Sequence, residues 1–161
     1  MKSKNLLPGL IALFILGITS CTNETDTEDT SEGNWILRSS FEGVARSEAV
    51  AFSIGSRGYI VTGYAGNKRL KDLWQYDSDY NFWQQKAEFP GTARHAATGF
   101  SIEDRGYIGT GSDGYNRLND FLEYNSTTNT WTQKADFGGS ARLDAVGFSI
   151  SNKGYISTGY D

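Results

Sequence analysis

The sequence has little of the side-chain chemistry from which metal and redox centres are built. Its 161 residues include one cysteine, Cys21, and one histidine, His95. A single cysteine excludes an internal disulfide, so an exported fold must rely on packing. Copper and zinc sites need several such ligands, so we predict no metal site and no cofactor. Motifs of serine hydrolases, zinc proteases and phosphate loops are also missing, and we predict no catalytic residues.

Long apolar runs are missing too, except at the N-terminus. There, Lys2 and Lys4 precede an apolar run from Leu6 to Ile18. The run is too short to span a bilayer comfortably and has the form of a secretory signal. The residues up to Cys21 resemble a bacterial lipobox, in which the cysteine is acylated and becomes the new N-terminus. We therefore predict a lipoprotein signal peptide over residues 1–20, with an ordinary signal peptide as the alternative.

Basic residues are too few for a protein that binds nucleic acid. Residues 1–20 hold two of the 15 basic residues and none of the 19 acidic ones, so the remainder carries a net charge of −6. This balance excludes the basic footprint of nucleic-acid binding, and membrane attachment would come from the lipid.

The segment at residues 21–34 is acidic and lacks apolar side chains after the cysteine. It contains five acidic residues before Asn34, so we predict a disordered tether. Acidic residues just after a lipidated cysteine also resemble the surface-export tags of Bacteroidetes lipoproteins, and a plain spacer is the alternative. The predicted location is the bacterial cell envelope, anchored by lipid to the outer membrane, with either periplasmic or outward orientation.

From Trp35 onward the sequence repeats with a period of 48 residues. The positions that occur three times are Trp35, Trp83 and Trp131; Arg46, Arg94 and Arg142; Gly58, Gly106 and Gly154; and Gly63, Gly111 and Gly159. Recurrence of this strictness is typical of a solenoid, a propeller or an array.

Each period contains short segments with the patterns of β-strands. Residues 49–54 are mostly small and apolar, as in a strand buried on both sides, and the turn after them predicts a hairpin with residues 58–63. Residues 72–77 alternate apolar and polar side chains, and residues 81–89 supply a fourth strand. No window has helical periodicity. The sequence therefore predicts an all-β fold with about four strands per period.

The order of these features resembles the kelch repeat, and most closely the kelch-type lipoproteins of Bacteroidetes. Each period has Arg, a small apolar strand, Gly-Tyr-Ile-x-Thr-Gly and, in the complete copies, Leu-x-Asp, Tyr and Trp. The resemblance covers residues 35–161 and implies an incomplete kelch-type β-propeller. The usual Gly-Gly pair is Thr62-Gly63 here; we expect Gly63 to keep the steric role and Thr62 to fit the strand. Galactose oxidase shares this fold, but its copper ligands have no counterpart here.

The predicted strands form two full blades plus orphan strands at each end. The chain opens with a fourth strand at residues 34–41 and closes with two strands of another blade, whereas propellers have about 4–8 blades. We expect the chain to be part of a longer protein or a truncated product. The alternative is a homodimer in which two copies complete a ring of about six blades.

Repeated residues are expected to serve the blade rather than a ligand. We predict that the repeated tryptophans are core anchors and that Arg46 and its two copies pair or stack between blades. Arg69 and Arg117 also recur and are taken as structural. Loop residues that differ between copies are the better candidates for ligand binding, and we expect them at one rim: Tyr64, Asn67, His95, Asp113, Tyr115, Asn116 and Asp144. Solvated loops that varied freely are the alternative.

These observations favour a non-catalytic binding module at the cell surface, for a glycan or a protein partner. One alternative is a fragment of a propeller enzyme that acts on glycans, whose active residues would lie in missing blades. Another is a truncated product with no independent function.

Overall fold

The computed structural model describes residues 35–161, which form strands and turns and no helix. The strands are β1 (Val50–Ile54), β2 (Arg57–Val61), β3 (Tyr64–Ala65), β4 (Lys68–Arg69), β5 (Leu73–Asp77), β6 (Phe82–Lys86), β7 (Thr98–Ile102), β8 (Arg105–Gly109), β9 (Phe121–Asn125), β10 (Thr130–Lys134), β11 (Val146–Ile150) and β12 (Lys153–Ser157). The prediction of an all-β chain is confirmed over this range. The signal peptide, Cys21 and the tether lie outside the described residues.

The strands form antiparallel sheets that follow the sequence repeat. Sheet I has the order β1-β2-β5-β6, sheet II has the order β7-β8-β9-β10, sheet III pairs β11 with β12, and β3 pairs with β4 in a small hairpin. The register of the first hairpin is the same in sheets I, II and III: Phe52 faces Tyr59, Phe100 faces Tyr107, and Phe148 faces Tyr155. Residues Leu37–Asp161 form one compact unit.

The hairpin turns are encoded locally. β1 and β2 are joined by two residues, of which Gly55 has a φ of 56°, a conformation that glycine adopts at low cost. In the turn from β5 to β6, the Asp77 carboxylate accepts hydrogen bonds from the backbone N–H groups of Asp79 and Tyr80, at 3.0 and 3.2 Å. Asn125 does the same one period later. Such side-chain turns set both strand ends.

Sheet I packs on sheet II, and sheet II packs on sheet III, through aromatic rings placed over glycines. A Cβ atom added to Gly106 in sheet II would lie 2.3 Å from the Phe52 ring of sheet I. One period later, a Cβ atom on Gly154 in sheet III would lie 2.1 Å from the Phe100 ring of sheet II. Both glycines are therefore required for the sheets to approach this closely. Between sheets I and II lies the core, which includes Val50, Ile54, Tyr59, Val61, Leu73, Phe89, Ile108, Leu122 and Tyr124.

Each repeated arginine precedes the first strand of its sheet and contacts an aromatic ring and a carboxylate. Arg94 is fully buried, stacks on the Phe89 ring at 4.9 Å, and donates two hydrogen bonds of 2.6 Å to Asp120. Arg46 makes the equivalent pair with Asp72 at 2.7 Å. Pairing or stacking between blades was predicted: each arginine stacks on a ring of the preceding segment, whereas its carboxylate partner lies within its own repeat.

The tryptophans behave as predicted in two copies out of three. The indole N–H of Trp131 donates to the Ala87 carbonyl at 2.9 Å, and that of Trp83 donates to the Ser39 carbonyl at 3.4 Å. Both therefore anchor the segment that precedes their sheet. Trp35 is fully exposed, so its predicted role as a core anchor is wrong.

The strand predicted at residues 34–41 is not present over the described part, residues 35–41. No strand among residues 35–161 pairs with its backbone, and the Ser39 N–H instead donates to the Asn81 side chain at 2.8 Å. A strand needs a partner for its backbone groups, and the described residues supply none here.

The threonine before the repeated glycine does not fit the strand as predicted. β2 ends at Val61, and Thr62 has a φ of 60° while Gly63 has a φ of 108°. Thr110 and Thr158 adopt the same left-handed backbone, with φ of 61° and 62°. This conformation is costly for a β-branched residue, and it explains why two glycines would suit the position.

The first strand also differs from the prediction that it is buried on both sides. In sheet I, Val50 and Ile54 are buried, whereas Ala51 and Ser53 on the opposite face are exposed. The hairpin formed by β3 and β4 was not predicted either, because two-residue strands carry no periodic pattern.

Candidate functional site

Loops from all three sheets meet at one end of the strands and form a continuous rim surface. It consists of the loops before β1, β7 and β11 and the segments that follow β2, β8 and β12. Backbone bridges join these segments in pairs, with Ser47 opposite Tyr64, His95 opposite Ser112, and Leu143 opposite Tyr160. Sequence reasoning placed its candidates on this rim, and the structure brings five of the seven into two separate groups.

Backbone hydrogen bonds connect the rim from one sheet to the next. The Ala96 N–H donates to the Glu48 carbonyl at 3.0 Å, and the Asp144 N–H donates to the Ala96 carbonyl at 3.0 Å. All three residues have a left-handed backbone, with φ of 54°, 53° and 56° for Glu48, Ala96 and Asp144. Such strain persists where the surrounding structure fixes the backbone, so the loops hold their side chains in defined places.

The centre of the rim is a cluster around the single histidine. Arg69 donates a hydrogen bond from Nε to Nδ1 of His95 at 3.1 Å, and its guanidinium carbon lies 5.4 Å from the centre of the Tyr64 ring. The Tyr64 and His95 rings are 5.6 Å apart. On the other side of the imidazole, a Glu48 carboxylate oxygen lies 3.7 Å from Nε2.

This cluster fixes the tautomer of the imidazole. Because Nδ1 of His95 accepts a hydrogen bond from Arg69, its proton must reside on Nε2. The Nε2–H group then points toward the carboxylate of Glu48. The rim therefore presents an N–H donor beside an acidic acceptor, with the half-buried Tyr64 ring next to them.

A second group of candidates lies in the turn after β8. The Asp113 carboxylate accepts hydrogen bonds from the backbone N–H groups of Tyr115 at 2.8 Å and Asn116 at 2.7 Å. These bonds, with a smaller contribution from the charge of Arg69, hold the pKa of Asp113 below its ordinary value. Asp113 therefore remains ionised at neutral pH. The Tyr115 side chain is almost fully exposed at the tip of the turn.

The two groups are joined by Arg69. A Cβ atom added to Gly114 would fall 1.8 Å from the end of the Arg69 guanidinium, so the arginine lies directly against that backbone. Any side chain at position 114 would displace Arg69 from the histidine. Glycine at this turn thus belongs to the site.

The remaining candidates lie at the margins. Asn67 is exposed at the tip of the β3–β4 hairpin, and its N–H donates to the Ala65 carbonyl at 2.6 Å. Asp144 is exposed in the loop before β11, and the structure shows no side-chain contact from it to the histidine cluster. Beyond it, the Arg117 guanidinium stacks on the Tyr160 ring at 4.5 Å.

An open cavity of about 380 Å³ lies next to the histidine cluster and shares Arg69 with it. Its wall is formed by β4 and the residues that follow, up to Asp72, together with Val44, Glu88 and Ala93. Lys71 and Glu88 form an ion pair of 3.0 Å. Lys68 and Lys71 of this wall correspond to Asn116 and Asn119 in the second copy, so the two basic side chains are particular to the first copy.

Sequence reasoning missed two members of the cluster, Arg69 and Glu48. Arg69 was taken as structural because it recurs as Arg117, but the two arginines contact different partners. The sequence signal that could have identified Arg69 is its changed neighbour, because Tyr64 in the first copy is replaced by Ser112 in the second. Glu48 differs between copies and met the criterion that selected His95.

Over residues 35–161 no three histidine, cysteine, aspartate or glutamate side chains are grouped so as to hold a metal ion. The same residues contain no helix that is long and apolar enough to cross a membrane. No protein-family model matches the chain, and no curated protein matches its sequence.

Proposed function

We propose that this chain is a kelch-type β-propeller module of the bacterial cell envelope that binds a glycan through its rim surface. The repeat is supported by identical strand registers 48 residues apart and by sheets that pack through the same aromatic and glycine pairs. The left-handed pair at Thr62 and Gly63 lies where the kelch repeat carries two glycines. The lipid on Cys21 would anchor the module to the outer membrane.

The histidine cluster is the observation that supports binding. Within a few ångströms it offers a guanidinium donor, an imidazole N–H, a carboxylate acceptor and a half-exposed tyrosine ring. Sugars need paired donors and acceptors for their hydroxyl groups and a flat apolar face for their C–H groups. The rim supplies both on a backbone that is fixed by hydrogen bonds between sheets. If no glycan binds, a protein partner is the alternative ligand for the same surface.

Binding without catalysis is the simplest use of this surface. Asp113 is fully engaged by backbone N–H groups, which suits an acceptor held in one orientation more than a group that exchanges protons. The strained loops give a preorganised surface, which lowers the cost of ordering side chains on binding.

The test is an array of bacterial and host glycans probed with the full chain and with two matched variants. Tyr115 and Tyr80 are both exposed tyrosines at the tips of turns closed by an aspartate side chain, but Tyr80 lies at the opposite end of the strands. We expect Tyr115→Ala to weaken binding of the best glycan by roughly tenfold, and Tyr80→Ala to leave it unchanged. Equal effects of the two variants, or binding to proteins of the cell surface and to no glycan, would contradict the proposal.

A further inference from the structure

The joints between sheets use the same aromatic pair each time. Phe52 stacks on Tyr59 at 5.1 Å, Phe100 on Tyr107 at 5.5 Å, and Phe148 on Tyr155 at 5.3 Å. In each case the two rings lie on one face of a sheet, and in sheets I and II they face the next sheet along the chain. We call this face the ring face of the sheet.

Each ring face that is covered meets a glycine of the following sheet, and the ring face of sheet I also meets a tyrosine. Phe52 lies on Gly106, and Tyr59 contacts the Tyr124 ring edge-on at 5.7 Å. Phe100 lies on Gly154 in the same way. We call the surface that carries the glycine the seat face. Two joints within one chain thus define how a ring face and a seat face fit together.

One ring face and one seat face are bare among the described residues. The ring face of sheet III is exposed, with Phe148 at 44% and Tyr155 at 41% of their full accessibility, flanked by Val146 and Ile150. On the seat face of sheet I, a Cβ atom at Gly58 would meet only Cβ of Tyr76, at 3.8 Å. Gly58 and Tyr76 are the repeat equivalents of Gly106 and Tyr124, so the unfilled seat matches the unfilled rings.

We propose that a second copy of this chain docks on these faces, with Phe148 and Tyr155 of one copy over Gly58 and Tyr76 of the other. The contact continues the two internal joints and needs no new type of packing. Because a ring face meets a seat face, the association is head-to-tail, which gives a closed ring if the rotation closes and a chain of copies if it does not. Burial of four exposed apolar side chains drives it.

One residue of the proposed contact, Ala51, differs from its equivalents in the internal joints and provides a further test. Val50 contacts Gly99 and Thr98 contacts Gly147, where an added Cβ atom would lie at 2.5 and 2.7 Å. The equivalent contact between copies would place Val146 on Ala51, which already has a Cβ atom. The contact between copies should therefore be looser than the internal joints, and Ala51→Gly should tighten it.

The experiment measures the mass of the full chain in a mild detergent by light scattering across a concentration series. Wild type should self-associate, and Ala51→Gly should do so at lower concentration. Gly58→Leu fills the seat and Phe148→Asp removes the ring, and each should weaken self-association by roughly 30-fold. A mixture of these two variants keeps one intact joint and should give a one-to-one dimer that does not grow further.

Matched controls separate loss of docking from loss of folding. Gly58→Leu should unfold at the wild-type temperature because its seat is empty, whereas Gly106→Leu should be strongly destabilised because Phe52 occupies the seat. A wild-type chain that stays monomeric up to its solubility limit would overturn the proposal. So would oligomers that persist in both variants, or a mixture of variants that forms no dimer. A monomer that still binds glycan would overturn this inference and leave the proposed function intact.

Discussion

Arg94 and Asp120 are joined by two parallel hydrogen bonds of 2.6 Å, and the arginine has no exposed surface. The guanidinium also donates to the backbone carbonyls of Thr92 and Thr110, at 2.9 and 3.0 Å. Its repeat equivalent Arg142 is partly exposed and reaches the Asp161 carboxylate only at 3.6 Å. Two copies of one residue therefore differ in how deeply their charge is buried.

Arg94→Ala should lower the free energy of unfolding by about 3–5 kcal/mol, because it leaves a largely buried carboxylate without its partner. Arg142→Ala should cost about 1 kcal/mol or less, since exposed pairs contribute little. Denaturant unfolding of both variants measures the difference. Equal losses of unfolding free energy in the two variants would show that burial of the Arg94–Asp120 pair does not determine its contribution to stability.

Thr110→Gly should stabilise the protein by about 1 kcal/mol. The substitution removes a β-branched side chain from a left-handed backbone at φ of 61° and removes a buried hydroxyl that has no hydrogen-bond partner. The gain is reduced by the extra freedom of glycine in the unfolded chain. Thr130→Gly in β10 is the control and should destabilise, because it only weakens a strand. A loss of stability in Thr110→Gly would contradict the inference that the left-handed backbone at this threonine is strained.

Stability should fall in acid in a way that depends on Asp72. Burial alone would raise the pKa of Asp72, but hydrogen bonds from Arg46 and Trp74 hold it below its unfolded value of 3.8. A lowered pKa in the folded state stabilises the fold above pH of about 4, and the contribution is lost as pH falls through the folded-state pKa.

Asp72→Asn tests this dependence. The difference in unfolding free energy between wild type and variant should be largest at neutral pH and should shrink below pH of about 4, as followed by denaturant unfolding in a pH series. A difference that stays constant down to pH of about 2 would contradict the assigned cause.

Cys21→Ala should release the protein from membranes, because it removes the residue that would carry the proposed lipid. Ser20→Ala is the matched control, since it keeps a small residue before the cysteine and should leave the protein in the membrane fraction. Membrane fractionation with mass spectrometry of the N-terminus measures both. Unchanged membrane retention of Cys21→Ala would contradict the lipobox hypothesis.

The repeating part of the fold was predictable from the sequence because residues that recur at the same spacing make the same packing contacts in each copy. Trp83 and Trp131 recur for the contact that each makes with the preceding segment, and the hairpin turns carry their own chemistry in Gly55 and Asp77. Trp35 shares the repeat but is exposed. A residue pattern predicts a contact only where the partner strand is also present.

The sequence indicated where the candidate site lies, but it did not identify all the residues that form it. His95 and Asp113 were found because they differ between copies, and the structure joins them through Arg69 and Gly114. Arg69 was missed because its side chain is repeated while its neighbours are not. The left-handed backbone of Thr62 was missed for a physical reason: threonine favours strands, and tertiary packing overrides that preference here.

We propose that the rim is a preformed surface that binds a ligand through the histidine cluster, and NMR of the imidazole tests this most directly. His95 is the single histidine of the chain, so its imidazole nitrogens give one unambiguous set of NMR signals. With Arg69 donating to Nδ1, the signals of the neutral imidazole should show the proton on Nε2, and they should shift when the glycan selected on the array is added. A proton on Nδ1, or signals unchanged at saturating glycan, would contradict the account.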